Sequence, residues 1–273
     1  ASPERLRGIE LVFNIAEGLS GRNRESLMPA LLDYAGVPYS GSDALTLALT
    51  LDKAKAKAVV ASAGVNTPAF AVIEEGKMRG ARPRFPLFVK PLCEGSSKGI
   101  RAQSRVANQR DLEERLSWLG ERYGKIPVLI ERFIDGREVT VGVLGNAPPY
   151  VLGIMEIESR ERKRNAFVYS LEVKRNWQEL CQYTAPARIG KQVKERIEKS
   201  ALAAYEALGC RDIARLDFRV DAAGDVYFLA ANPLPGLSPV SGDVVILARK
   251  MSWSYEGLVL AVLKHALERC GIR

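Results

Sequence analysis

The sequence holds a single histidine, His265, and only four cysteines, Cys93, Cys181, Cys210 and Cys270, among 273 residues. The cysteines are far apart with no CxxC pair, which excludes a zinc site of the usual kind. One histidine, set near the C-terminus in an apparent amphipathic helix, excludes catalysis built on a central imidazole. Any chemistry must therefore come from carboxylates, amines, guanidinium groups and backbone amides. No apolar run approaches the roughly 20 residues that a membrane helix needs. The polar opening ASPERLRGIE lacks the basic patch and apolar stretch of a secretory signal. The chain is expected to be cytoplasmic, with no membrane partner.

What is present is an ordinary globular balance, 47% hydrophobic and 26% charged, in a chain long enough for two or three lobes. Forty Lys and Arg against 32 Asp and Glu give a net charge of +8, which favours an anionic ligand. The basic residues are spread along the chain (Arg22, Arg24, Lys53, Lys55, Lys57, Arg160 to Arg164, Lys191 to Lys199). Nucleic acid, which would favour one basic face, is the weaker reading beside a nucleotide or a phosphorylated intermediate.

The pattern predicts a strand in IELVFNIAEG followed by a helix in NRESLMPALLDYAG closed by Gly36, and a second helix over 43–63 with Lys53 and Lys57 one turn apart. From Ala69 short β-rich runs take over (AFAVI, FPLFVKP, PVLIERFI, EVTVGVLG, YVLGIMEI), with a helix around 108–119. Residues 160–182 are charged without a clean period and read as a mobile loop. A helix over 190–208, two strands joined at Ala222-Ala223-Gly224, the loop NPLPGLSPVSGD and helices over 244–250 and 255–266 complete the chain.

Three stretches carry possible chemistry. In FPLFVKPLCEGSSKGI a buried strand delivers Lys90, and the loop from Glu94 to Gly99 offers small residues, backbone N–H groups, hydroxyls and a lysine suited to cradling phosphate. The spacing is not that of a Walker A loop, and a plain strand-to-strand turn fits the same residues. In VLIERFIDGREVTVGVLG a strand ends at Glu131-Arg132 and the next begins near Glu138, so the carboxylates could bind an adenine amino group and ribose hydroxyls, or sit solvated on a hairpin. In ARLDFRVDAAGDVYFLAAN, Arg215 and Asp217 share one face by alternation, and Asn232 ends the paired strand. An Asp, an Asn and an Arg at a sheet mouth suit Mg²⁺ coordination beside a developing anion.

Together these stretches resemble the ATP-grasp superfamily, and within it the D-alanine:D-alanine ligases, over nearly the whole chain. The matching segments are VPYSGSDALTLALTLDKAKAK, VKPLCEGSSKGI, ERFIDGREVTV, LEVKRNW, ARLDFRVD and NPLPGLSPVS, in the family's order. The resemblance implies an α/β fold with α+β lobes, two of which clamp ATP. The divisions are a truncated N-terminal α/β portion (1–42), a central lobe (43–134) and a C-terminal lobe (135–273). It implies an ADP-forming ligase that activates a carboxylate as an acyl phosphate and joins it to the amine of an amino acid or small peptide, using ATP and Mg²⁺, with a homodimer as one open assembly.

By the same resemblance Lys53 and Lys90 contact the phosphates, and the Glu94-Gly95-Ser96-Ser97 loop closes over them, with Ser96 also at the reacting centre. Glu131 faces the adenine amino group, Arg132 and Ile134 give backbone contacts, Glu138 holds the ribose, and Lys174 reaches the γ-phosphate. Arg215 and the Gly236 N–H stabilise the oxyanion, Asp217 and Asn232 hold Mg²⁺, and Ser241 binds the second substrate's carboxylate. Two departures stand out. Where the family has a metal-bridging Glu, this chain has Ala230, and a methyl group cannot coordinate Mg²⁺. Glu17 stands where D-alanine members usually have a histidine, and Arg175 where they have an aromatic, so plain D-alanine is not the expected substrate.

Overall fold

The structure is a computed structural model that describes residues 8–95, 97–160 and 168–272, the side chain of residue 175 excepted. Its strands form two antiparallel five-stranded sheets. The first holds β1 (Phe70–Glu74), β2 (Lys77–Arg79), β3 (Leu87–Pro91), β4 (Arg105–Val106) and β5 (Val128–Arg132) in the order β2-β1-β5-β3-β4. Alternation divides its faces. Leu87, Val89, Val128 and Ile130 pack with Leu112 and Leu119 of a helix over Gln109–Tyr123, while Phe88, Lys90 and Glu131 point to the opposite side.

The second sheet holds β6 (Arg137–Leu144), β7 (Tyr150–Ser159), β8 (Cys181–Thr184), β9 (Ile213–Val220) and β10 (Val226–Asn232) in the order β10-β9-β6-β7-β8. On one face Val139, Val141, Leu216, Phe218 and Phe228 pack with Ile197, Ala201 and Tyr205 of a helix over Lys191–Ala207. Towards the other face Leu144, Leu152 and Ile213 pack with helices over Asp243–Lys250 and Tyr255–Cys270.

In chain order the helices are α1 (Leu27–Ala35), α2 (Ala44–Leu51), α3 (Lys53–Ser62), α4 (Gln109–Tyr123), α5 (Leu171–Arg175), α6 (Trp177–Leu180), α7 (Lys191–Ala207), α8 (Asp243–Lys250) and α9 (Tyr255–Cys270). Gly36 at φ 66° closes α1, the left-handed helix end that favours glycine. The helix expected over 43–63 is two helices. Asp52 is extended (φ −83°, ψ 94°) and its side chain accepts from the Lys55 N–H, so it starts a new helix instead of continuing the old one. Although the sequence division groups α3 with 70–134, Ala56 and Val60 of this helix pack on the second sheet.

Two other expectations are corrected. The strand expected in IELVFNIAEG reduces to one parallel bridge, Val12 with Tyr39, fixed by Val12 N–H to the Pro38 carbonyl and Ser40 N–H to the Val12 carbonyl, both 2.9 Å. Pairing needs a partner along the whole run, and among the described residues the backbone bonds to it come from 38–40. Within the stretch read as a mobile loop, the described residues 168–182 carry α5, α6 and the start of β8. Trp177 stacks on Tyr183 with ring centroids 5.0 Å apart, an aromatic anchor that the charge pattern hid. Among the described residues no helix is long and apolar enough to cross a membrane.

Candidate functional site

The free faces of the two sheets form the walls of an open cleft. Lys53, Lys90, Glu94, Gly95, Ser97, Glu131, Arg132, Ile134, Glu138, Lys174, Arg215, Asp217 and Asn232 all line it, as do Glu17 and Ala230. Gly236 lines an adjoining hollow with Phe13, Ile15, Leu237 and Tyr255, and Glu17 and Leu234 belong to both spaces. Ser241 lines neither. It is exposed, with its hydroxyl 3.2 Å from that of Ser238. Ser96 and the side chain of Arg175 lie outside the described residues.

A β-bulge sets the floor of the cleft. The register slips between Phe228 and Ala230, and an extra residue in one strand reverses the side-chain alternation beyond it. Val226 and Phe228 therefore face the core, whereas Ala230 and Asn232 face the cleft, opposite Asp217 and Arg215 respectively. The Phe228 carbonyl accepts from Lys57 Nζ (3.1 Å) and Thr67 Oγ1 (3.0 Å). Lys57, fully buried, also pairs with Glu131 Oε2 at 2.7 Å, while Lys90 pairs with Glu131 Oε1 at 2.6 Å. Burial alone would raise the Glu131 carboxyl, but the two ammonium groups outweigh it and hold the pKa down to about 2. Burial pulls Lys57 down to about 8 against the attraction of Glu131. Each Glu131 oxygen thus already faces an ammonium, which the sequence reading did not anticipate.

The start of α3 brings Lys53 to the loop after β3. Its backbone N–H donates to the Leu92 carbonyl (3.4 Å), and its ammonium donates to the carbonyls of Leu92 and Glu94. Burial, helped by repulsion from Lys90, lowers this lysine to about 8. The loop itself is a tight turn, with Ser97 at φ 57° and Gly99 at φ 74°. A Cβ on Gly99 would lie 2.5 Å from the Pro91 ring, so the turn admits only glycine there. Lys98 is exposed and does not line the cleft.

A second network sits on the other wall. Arg215 donates through Nη2 to Asp217 (2.9 Å) and through Nη1 to Asp243 (2.5 Å). Thr140 Oγ1 donates to the other Asp217 oxygen at 2.8 Å. Asp243 also receives Lys174 Nζ at 2.8 Å and the Tyr169 hydroxyl at 3.1 Å, and Tyr169 and Tyr183 share a 2.5 Å hydroxyl contact. Burial would raise the Asp243 carboxyl, but Arg215 and Lys174 outweigh it and hold it low. Nearby, Glu138 pairs with Arg219 at 2.9 Å, and the Arg219 guanidinium lies 4.5 Å from the Phe133 ring centroid. Phe133 stacks on Phe88 to make an apolar strip inside the cleft.

Sequence reasoning missed Lys57, Thr140, Arg219 and Asp243. Arg219 had a signal, because alternation along β9 puts it on the face of Arg215 and Asp217. Asp243 reads from sequence only as an acidic residue favoured at a helix start.

The resemblance implies a magnesium ion, and the residues expected to hold it, Asp217 and Asn232, both line the cleft where β9 pairs with β10. One carboxylate and one amide oxygen, from Asp217 and Asn232, suit a hard cation that keeps phosphate and water in most of its shell. The donor set stops there. Ala230 offers a methyl group, and no cluster of three His, Cys, Asp or Glu able to hold a metal occurs among the described residues.

A family model described as the D-ala D-ala ligase C-terminus matches residues 59–264. A D-alanine–D-alanine ligase of Desulforudis audaxviator is 37% identical over 272 residues, covering 97% of this chain and 84% of the relative. Among solved structures, the VanG D-Ala:D-Ser ligase from Enterococcus faecalis superposes with a TM-score of 0.76 at 25% identity over 94% of this chain and 73% of that one. The Bacillus anthracis D-alanine–D-alanine ligase complexed with ATP shares the fold, with a TM-score of 0.76 at 24% identity over 97% of this chain and 82% of that one.

Proposed function

Since the chain belongs to the D-alanine:D-alanine ligase family, with the ATP-grasp fold, we propose that it is an ADP-forming ligase that activates a carboxylate as an acyl phosphate and joins it to the amine of an amino acid or small peptide. The observation that carries this reading is the convergence of Lys53, Lys90, Lys174 and Arg215 on one cleft that also holds Asp217, Asn232 and an aromatic strip. Four cations around one space suit a polyphosphate, and the Phe88–Phe133 strip suits a base.

In this reading Lys53 and Lys90 orient the phosphates, and a polyphosphate beside Lys53 favours the charged ammonium that burial disfavours. Glu138 takes the ribose, with Arg219 fixing its carboxylate. Arg215 faces the oxygen that becomes negative when the amine adds to the acyl phosphate, and the Gly236 N–H is the second donor. Mg²⁺, bound with ATP and held by Asp217 and Asn232, would neutralise phosphate charge. Glu17, where the cleft meets the adjoining hollow, is placed for a substrate ammonium, and its carboxylate in the histidine position argues for an acceptor other than plain D-alanine.

Ala230 favours a second reading of the same site, in which nucleotide binds but turns over slowly. The lysines that bind phosphate are intact, whereas the side chain opposite Asp217 carries no oxygen. Phosphate release should be measured against pooled D- and L-amino acids with the chain as it stands and with Ala230→Glu. The expected outcome is a rise on the order of a thousandfold with the carboxylate restored. Full activity unchanged by the substitution would remove the metal assignment, and no phosphate release from either protein with any acceptor would remove the ligase reading.

A further inference from the structure

Asp243 belongs to none of the segments that point to a nucleotide, yet its carboxylate gathers two cations of this wall of the cleft, Lys174 and Arg215. It is the first residue of α8 and only 5% exposed, so water screens its ion pairs little. One oxygen, Oδ2, faces both Lys174 Nζ at 2.8 Å and Arg215 Nη1 at 2.5 Å, while Oδ1 accepts from Tyr169. The two cations are held differently. Arg215 has a second anchor in Asp217, so it keeps its place if its contact with Asp243 loosens. Lys174 is a single flexible ammonium on a five-residue helix, and its side chain is 23% exposed to the cleft. Two carboxylates and two cations balance in this network, and an arriving phosphate adds negative charge that draws on the more movable cation.

We propose that Asp243 is a positioning residue that parks Lys174, so that the terminal phosphate of a nucleoside triphosphate binds fully only by drawing this ammonium off the carboxylate. The Asp243 charge is still met after the exchange, because Arg215, the Tyr169 hydroxyl and the positive end of α8 remain beside it. The device makes the cleft selective for a ligand with a terminal phosphate strong enough to win the lysine. A nucleoside lacking phosphate leaves the pair intact.

This inference rests on the nucleotide reading above, and its test separates the two. The full chain, Asp243→Asn, Lys174→Ala and the double variant are each titrated calorimetrically with ATP and with adenosine. Asp243→Asn should raise the ratio of ATP to adenosine affinity roughly tenfold, the scale of coupling between contacting charged residues. In the Lys174→Ala background the same substitution should leave the ratio nearly unchanged, because no ammonium remains to be parked. A purely structural role would shift both ligands alike, and simple repulsion of phosphate would raise the ratio equally in both backgrounds. Either result overturns the parking. Failure of the unaltered chain to bind ATP or adenosine overturns the nucleotide reading with it. Should Asp243→Asn not fold, Asp243→Ser keeps a helix-starting oxygen without the charge and carries the same comparison.

Discussion

Lys90 and Lys98 stand eight positions apart on one segment, and their surroundings differ completely. Lys90 leaves a buried strand towards the cleft, is 5% exposed and is aimed by Glu131, whereas Lys98 is exposed on the turn. An aimed, poorly hydrated ammonium gives a charge-assisted hydrogen bond, while a solvated one exchanges water for phosphate with little gain. Lys90→Ala is therefore expected to weaken nucleotide binding by about 1.5–3 kcal/mol, and Lys98→Ala to change it little. Titrating both variants with ATP checks this, and equal losses would contradict the assignment. Much of this residue-level picture was legible in the sequence, because Lys90, Arg215 and Asp217 sit on strands whose alternation fixes the face. Lys57 was not legible. A lysine one turn after another on a helix is usually solvated, and only the docking of α3 at the seam of the two sheets makes it a buried partner of Glu131.

At the scale of elements, the break between α2 and α3 matters most for the cleft. Thr50-Leu51-Asp52-Lys53 continues a helical pattern in hydrophobicity, and propensity alone does not separate one helix from two. Asp52 decides it by capping Lys55 and turning the chain, so that the backbone N–H of Lys53 meets the Leu92 carbonyl. Removing this cap in Asp52→Ala should cost about 1 kcal/mol, read as a lower midpoint in urea unfolding with an unchanged slope. A stability equal to the native chain would mean that packing alone holds the break. The bulge at residues 228–230 was likewise unreadable. Strict alternation groups Phe228 with Ala230, and the structure sends them to opposite faces by one inserted residue, directly after the Phe228 carbonyl that Lys57 and Thr67 hold.

Across the whole molecule, the two sheets meet through one small set of charges. Glu131 belongs to the first sheet, the Phe228 carbonyl to the second, and Lys57 of α3 touches both. The two ammonium groups hold the Glu131 carboxyl down to about 2 in the folded chain, against the ordinary carboxylate value of 4.5 when unfolded. Between those values the unfolded state binds more protons, so stability from this group is full above about pH 4.5 and is lost as pH falls towards 2. Glu131→Gln should remove this acid-sensitive component and destabilise the chain by about 3–5 kcal/mol at neutral pH, since Lys57 and Lys90 lose a buried partner. Urea unfolding of both proteins at pH 7, 4.5 and 3 checks this, and parallel losses in the two would show that other carboxylates govern acid unfolding. By itself the sequence determined the longer strands β1, β3, β5, β6, β7, β9 and β10, the helices α4, α7, α8 and α9, the order of the motifs and the faces of β3 and β9, because hydrophobic period and turn residues act locally. Tertiary structure alone decided the Lys57–Glu131–Lys90 triad, the bulge that turns Ala230 into the cleft and the meeting of Lys174, Arg215 and Asp243. Each of these joins residues far apart in the chain, and buried charges take their partners from whichever elements the packing of the sheets brings near.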